Sequence, residues 1–392
     1  MPNKKFYNIC SPTIWALPPS VYSFTSLGQI ENCPLAWQLQ NSQYGDFDRY
    51  PSRPVPAAIE GQIIHAVLEK FFRELARHGM PAIGTEMFQK VLKQLAIIDL
   101  ITQLVTEHQK KIASHPRGAG FRLKLSVQEL HNKFVRIFKE QYVKLRNVTA
   151  LSLKGIFDRA VSDPPAKYDL TQNYLTLLDK HEVLTEIPLT HPKLPVKGIL
   201  DFVWKDNNGI VISDFKSGAP KPEHKEQLLM YAVLWEANTG KTPYMAYIVY
   251  PDSSTSIEIT KDIHAVASNS LADRVQRAET LLRISPANSN VSNNCQFCVV
   301  RHMCDSYWKA LVTQKQTFPQ CGDVEIEVSG VPGDYGLVGL CTDERVVNLV
   351  YDKDVVKIFG PFIKGDKLRV LAALTKDDTY EVKPWTEVFC EK

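Results

Sequence analysis

The sequence predicts a mixed α/β (α+β) core with a helical insertion, followed by a small all-β barrel. Three observations predict it. Apolar residues recur at the helical period through the first part of the chain, strand-like runs take over between Leu184 and Lys216 with helices flanking them, and six short strand-like runs fill the C-terminal stretch. The 392 residues are 44% hydrophobic and 23% charged, with 24 Pro and 19 Gly, a globular balance that excludes disordered and collagen-like chains and suits two or three domains of about 150 residues.

In chain order, Ile59 to Arg77 carries Ile64, Val67, Leu68, Phe71, Phe72 and Leu75 at helical spacing, and Thr85 to Lys111 repeats the pattern as one helix. Ser126 to Arg146 buries Leu130, Phe134, Ile137, Phe138 and Leu145, and turns Lys133, Arg136, Lys139 and Arg146 elsewhere. Strands at Val196–Lys205 and Ile210–Lys216 flank Asp206-Asn207-Asn208-Gly209, a turn-forming cluster, so they form a hairpin. A helix from Glu223 to Asn238, a strand at Tyr244–Tyr250 and a helix around Ile263–Ile284 follow. Thr239-Gly240-Lys241-Thr242 imitates the end of a phosphate-binding loop, but the earlier glycine position is Trp235 and the tetrapeptide follows a helix, so it reads as a helix C-cap. The tail predicts strands at Val324–Val328, Gly336–Cys341, Val346–Tyr351, Val355–Phe359, Lys367–Ala373 and Tyr380–Pro384. These readings divide the chain into 1–318, with a helical insertion at about 81–180, and 319–392.

Net charge is only +3, but it is unevenly spread. Gln320 to Lys392 holds nine basic and fourteen acidic residues, whereas Glu107 to Arg159 holds twelve basic and four acidic. A basic helical surface of this kind reads either as an ordinary solvated helix face or as a surface that tracks a polyanion. No apolar run approaches the roughly 20 residues of a membrane span, and no cleavable leader is evident, so the expectation is a cytoplasmic protein with no membrane contact.

The hairpin carries the chemistry. If its loop closes symmetrically, Lys205 faces Ile210 and Asp201 sits opposite Asp214. Two carboxylates about 5 Å apart repel by on the order of 3 kcal/mol at an effective dielectric near 20, so a cation must compensate. Lys216 emerges on the face of Asp214 and Phe215 turns to the core, because side chains alternate. The paired hard oxygens also suit Mg²⁺ or Mn²⁺. His65 and Glu69 lie one helical turn apart on one face, as do Gln227 and Tyr231 on the helix after the hairpin. Each pair also has a plain amphipathic reading.

Gly61-Gln62-Ile63-Ile64-His65, Gly198-Ile199-Leu200-Asp201, Asp214-Phe215-Lys216 and Gln227-x-x-x-Tyr231, in this order and spacing, resemble the RecB-type branch of the PD-(D/E)XK nuclease superfamily. The resemblance implies a restriction-endonuclease-like mixed sheet and a metal-dependent nuclease. It implies His65, Asp201, Asp214 and the Phe215 carbonyl as metal ligands and Lys216 as the charge that positions or activates water. Gln227 and Tyr231 would contact or orient the nucleic acid. Glu69 and Glu186 are additional carboxylates for the same site. The implied substrate is DNA, with exonuclease action on single-stranded ends passing the basic helical segment. The alternative is a nucleic-acid- or partner-binding subunit of a larger assembly with secondary cleavage.

Eight cysteines in a chain read as cytoplasmic point to metal binding or burial before disulfides. Cys295-x2-Cys298-x5-Cys304 supplies three thiols, and Cys33, in Ser26-x6-Cys33-Pro34-x2-Trp37, resembles the opening motif of the iron-sulfur members of the same branch. The resemblance implies a four-iron four-sulfur cluster on Cys33, Cys295, Cys298 and Cys304; spacing suits a four-cysteine zinc site equally. The tail resembles an OB-like barrel, in which Tyr351, Phe359 and Trp385 would offer stacking surfaces for single strands, while its negative charge favours docking of a protein partner.

Overall fold

The computed structural model describes residues 7–45, 47–118, 123–149, 173–181, 183–313 and 322–391. After a two-residue strand β1 (Asn8–Ile9) come helices α1 (Phe24–Asn32) and α2 (Pro34–Asn41). The long α3 (Pro56–Arg77) leads into α4 (Glu86–Leu95), α5 (Ile97–Ser114) and α6 (Val127–Thr149), and α7 (Tyr174–His181) returns the chain to the sheet. The part of the expected insertion at 150–172 lies outside the described residues.

The single helix expected over Thr85–Lys111 is two. Ala96 adopts a left-handed conformation at φ 43° and ends α4, its amide donating to the Leu92 carbonyl. The apolar period continues through the break, as Val91, Ile97 and Ile101 are all buried, so periodicity alone does not reveal it.

Strands β2 (Val183–Thr190), β3 (Lys197–Asp206) and β4 (Gly209–Phe215) form an antiparallel meander. Helix α8 (Pro222–Thr239) then crosses to β5 (Met245–Val249), which pairs parallel with β4, and β6 (Ser254–Glu258) closes the edge before α9 (Lys261–Leu281). The five strands lie in sequence order. One apolar core joins the sheet through Leu200, Val203 and Ile212 to α1, α8 and α9; the other joins it through Phe202, Trp204 and Phe215 to α3, α4, α5 and α6. Gly240 caps α8 at φ 68°, as its sequence context predicts.

Two short 3-10 turns, Asn293–Phe297 and Arg301–Met303, carry the cysteine segment into α10 (Asp305–Thr313). Beyond it lie β7 (Val324–Gly333), β8 (Gly336–Leu340), β9 (Val346–Val350), α11 (Lys353–Phe359), β10 (Lys367–Leu371), β11 (Leu374–Lys376), β12 (Thr379–Glu381) and β13 (Glu387–Glu391). With β1 they make an eight-stranded mixed sheet ordered β1-β13-β10-β7-β8-β9-β12-β11. The predicted strand at Val355–Phe359 is a helix instead. The Asp352 carboxylate accepts from the amides of Asp354 and Val355 at 2.9 and 3.2 Å, and that local cap outweighs the β-branched pair Val355-Val356. Tyr351 is buried and Phe359 packs edge-on to Tyr7 at 4.6 Å, so of the three expected stacking surfaces Trp385 alone stays exposed. Among the described residues no helix is long and apolar enough to cross a membrane.

Candidate active site

The hairpin closes as its alternation predicts. Lys205 pairs with Ile210 and Phe202 with Ser213, which brings Asp201 and Asp214 to the next position of the two strands. Both carboxylates are removed from water, Asp214 almost wholly so at 1% exposure. Asp201 Oδ2 accepts from the Phe215 amide at 2.6 Å and lies 3.5 Å from His65 Nδ1 on α3. The Phe215 ring turns into the core against Phe72 and Phe202, as predicted, which locks the strand around the two acids.

Glu186 completes the acidic cluster. It interrupts the β2 ladder between Thr185 and Ile187, where the partners Phe202 and Leu200 leave Asp201 facing it, and it holds φ at 51°. A left-handed glutamate inside a strand is uncommon and costs on the order of 1 kcal/mol or more, the kind of conformation that concentrates at functional sites. One ligand atom each from His65, Glu186 and Asp201 lie within 4.8 Å of one another. Glu69, a turn along α3 from His65, is tied to Arg73 at 2.5 Å.

The electrostatics call for a cation. Burial first, then the charges of Asp201 and Glu69, push the Glu186 carboxyl up to about 8. Burial, then Asp201, push Asp214 up to about 6 despite Lys216. The carboxylate oxygens of Glu186 and Asp201, with the His65 imidazole beside them, suit a divalent ion such as Mg²⁺ or Mn²⁺, whose charge would offset the repulsion that raises the Glu186 carboxyl. Sequence reasoning named His65, Asp201, Asp214 and the Phe215 carbonyl as ligands, with Glu69 and Glu186 as additional carboxylates; the structure gathers His65 and Asp201 with Glu186, while Asp214 is engaged by Lys216 Nζ at 2.5 Å and Glu69 by Arg73.

Lys216 is held on a second side. Its ammonium donates to Gln227 Oε1 at 2.9 Å, and Gln227 Nε2 donates to the Tyr231 hydroxyl at 2.8 Å. Sequence reasoning missed His224 and Tyr250. His224 Nδ1 lies 3.0 Å from the Tyr250 hydroxyl, and burial followed by the charges of Lys216 and Lys221 lowers the imidazole pKa. Only the position of His224 one turn before Gln227 could have flagged it.

The four cysteines named from the sequence converge although Cys33 is far away in the chain. Cys33 ends α1 and opens α2, where Pro34 takes the first helical position, and Ser26 forms a capping box with Ser23 at the start of α1. Cys33, Cys295, Cys298 and Cys304 line one cavity of about 440 Å³ together with Trp37 and Tyr307. The Asn290 side chain donates to the Asn32 carbonyl at 2.9 Å and Asn294 to Asn32 Oδ1 at 2.7 Å, stitching the two segments. Burial pushes the Cys298 thiol up to about 12 and raises those of Cys295 and Cys304.

On α6 the basic residues do not all face water. Lys133 pairs with Glu60 on α3, and Arg136 pairs with Asp252, in the β5–β6 turn, at 2.9 Å. The first contact joins α6 to α3, and the second is a solvent-exposed link from α6 to the β5–β6 turn.

The family described as the PD-(D/E)XK nuclease superfamily matches residues 21–305. That span contains the acidic cluster, Lys216 and all four cysteines. No curated protein matches the chain. A solved structure described as "Crystal structure of SSO0001" is similar at 14% identity over 63% of this chain and 95% of its own, with a TM-score of 0.24.

Proposed function

The chain belongs to the PD-(D/E)XK nuclease superfamily, and on that premise we propose that it is a metal-dependent DNA exonuclease acting on single-stranded ends, of the RecB-like iron-sulfur kind. The observation that carries the hydrolytic part is Asp201 and Asp214 side by side on β3 and β4, with Glu186, His65 and Lys216 around them. His65, Glu186 and Asp201 would hold the divalent ion, with Asp214 alongside. Such an ion polarises the phosphoryl oxygens and lowers the pKa of water. Asp214 fixes the Lys216 ammonium, which neutralises charge on the attacking side of the phosphate and holds a water by hydrogen bonding. The Phe215 amide, donating to Asp201 Oδ2, holds that carboxylate in place beside His65.

For the cysteine cavity we read a four-iron four-sulfur cluster on Cys33, Cys295, Cys298 and Cys304. The support is the match of Cys33 and the Cys295-x2-Cys298-x5-Cys304 run to the resembled iron-sulfur branch, with a four-cysteine zinc site as the alternative that metal analysis of the purified protein would decide. All four thiols line one cavity, which places them together for a shared metal group. Its role is to staple the N-terminal helices to the segment before α10.

Binding of a nucleic-acid backbone is supported by the basic residues of α6, among them Lys133 and Arg136, while the preference for single strands rests on the family resemblance alone. The C-terminal sheet is better read as a protein-docking module than as an OB-like strand binder, because Tyr351 and Phe359 are spent on packing and Leu340, Val346 and Val350 are exposed on strands β8 and β9. The test is end-labelled single- and double-stranded DNA incubated with Mg²⁺ or Mn²⁺. Mononucleotides from single strands, absent with Asp214→Ala, support the proposal; internal fragments make it an endonuclease; bound, intact DNA refutes cleavage.

A further inference from the structure

We propose that Gly198, Tyr231 and Gln227 form a strut, anchored by the buried Tyr231 ring, that sets the position of the Lys216 ammonium, so that Gln227 and Tyr231 act through the lysine rather than by touching substrate. The inference rests on the reading of the chain as a metal-dependent nuclease and assigns three positioning residues within it.

The two bonds of the Gln227 amide fix which way it points. An ammonium only donates, so the oxygen of the amide must face Lys216 at 2.9 Å and its nitrogen must face the Tyr231 hydroxyl at 2.8 Å. Each end of the side chain thus has one partner inside the protein. Tyr231 is 6% exposed and belongs to the core shared by β3 and α8. Burial, with the charges of Asp214 and Asp201 adding to it, pushes its phenol far above neutrality, so the hydroxyl serves as a fixed dipole and not as a proton source.

Gly198 makes the seat for that ring. A Cβ at position 198 would stand 2.6 Å from Tyr231 Cε1 and 3.2 Å from Cδ1, with Leu234 Cδ1 at 3.3 Å behind it. Such contacts would drive the ring off β3 and carry Gln227 with it. The glycine is thus required by what α8 lays against the strand, three residues before Asp201.

Lysine needs such a support. Its charge rides on a flexible four-carbon stem with three rotatable donors, and a single ion pair leaves it free to swing. Asp214 at 2.5 Å and Gln227 at 2.9 Å fix it from two directions. The first contact comes from β4 and the second from α8, so the lysine stays placed when a metal ion draws charge away from Asp214.

The test compares wild type with Gln227→Leu, Gln227→Glu, Tyr231→Phe and Gly198→Ala under Mg²⁺. Gln227→Leu should lower kcat about 30- to 100-fold with KM for DNA within about twofold, because a transition-state interaction is lost and substrate binding is not. Gln227→Glu keeps an acceptor for Lys216 and one for the Tyr231 hydroxyl, and should return kcat to within about fivefold of wild type. A substrate contact behaves oppositely: both Gln227 variants would raise KM, the glutamate more, since an added negative charge repels phosphate. That pattern overturns the proposal. Lysine-selective NMR without metal reads the strut apart from turnover. The Lys216 Nζ signal should move in Gln227→Leu and Gly198→Ala and return in Gln227→Glu, and a signal unmoved in Gln227→Leu sinks the idea. If the wild-type protein shows no Mg²⁺-dependent cleavage that Asp214→Ala abolishes, the nuclease reading fails and the NMR arm alone decides the strut.

Discussion

Glu186 ties metal binding to pH. Its carboxyl, raised from the ordinary value of 4.5 to about 8, holds its proton more tightly folded than unfolded, so the associated stability is full below about 4.5 and lost as pH rises through 8. Urea denaturation in a chelator should show the metal-free protein weakening between pH 5 and 8, and Glu186→Gln should flatten that slope, gaining on the order of 2 kcal/mol at pH 8. Divalent metal should restore stability in wild type with release of a proton at neutral pH, which calorimetry in buffers of different ionisation enthalpy would detect. Asp214→Ala and Lys216→Ala should each reduce cleavage at least about 100-fold while circular dichroism stays native. Asp201, Asp214 and Lys216 were legible in the sequence because a strand alternates and a tight turn fixes its register. The contribution of Glu186 depends on a φ of 51° that no pattern of apolar residues encodes, and the Lys216–Gln227 contact joins two elements whose docking only the fold defines.

At the level of elements, local chemistry decides the cases in which pattern misleads. Val355 to Phe359 has strand composition, yet a side-chain oxygen from Asp352 supplies two amides and starts a helix. Asp352→Ala should cost about 1 kcal/mol by thermal melting, with loss of helical signal from α11. Ala96 interrupts a continuous apolar period with a conformation glycine adopts freely. Ala96→Gly should raise stability by about 0.5 kcal/mol, the relief of left-handed strain outweighing the added unfolded-state entropy. The helices around both breaks were readable from their buried stripes. The strands β1 and β11 were not, since two or three residues leave too little alternation to recognise, and β13 is buried along four of its five residues, so it shows no alternation at all.

Across the whole molecule, Arg117 is the joint between its parts. Its guanidinium, 1% exposed, makes a two-pronged contact with Glu387 on β13 at 2.8 and 2.7 Å, and donates to the carbonyls of Pro51 and Val299. Arg117→Met strands a carboxylate in the interior and should cost about 3–5 kcal/mol, whereas the double variant Arg117→Met/Glu387→Leu should recover most of that loss. Charge counting found a basic region and an acidic tail but could not see that one residue from each would meet in the dry interior. A protein cut before its last sheet would accordingly not be a trimmed nuclease. It would keep an orphaned cation beside the cysteine segment, and the fragment would lose its shape where the catalytic half meets the missing half, far from the phosphodiester chemistry itself.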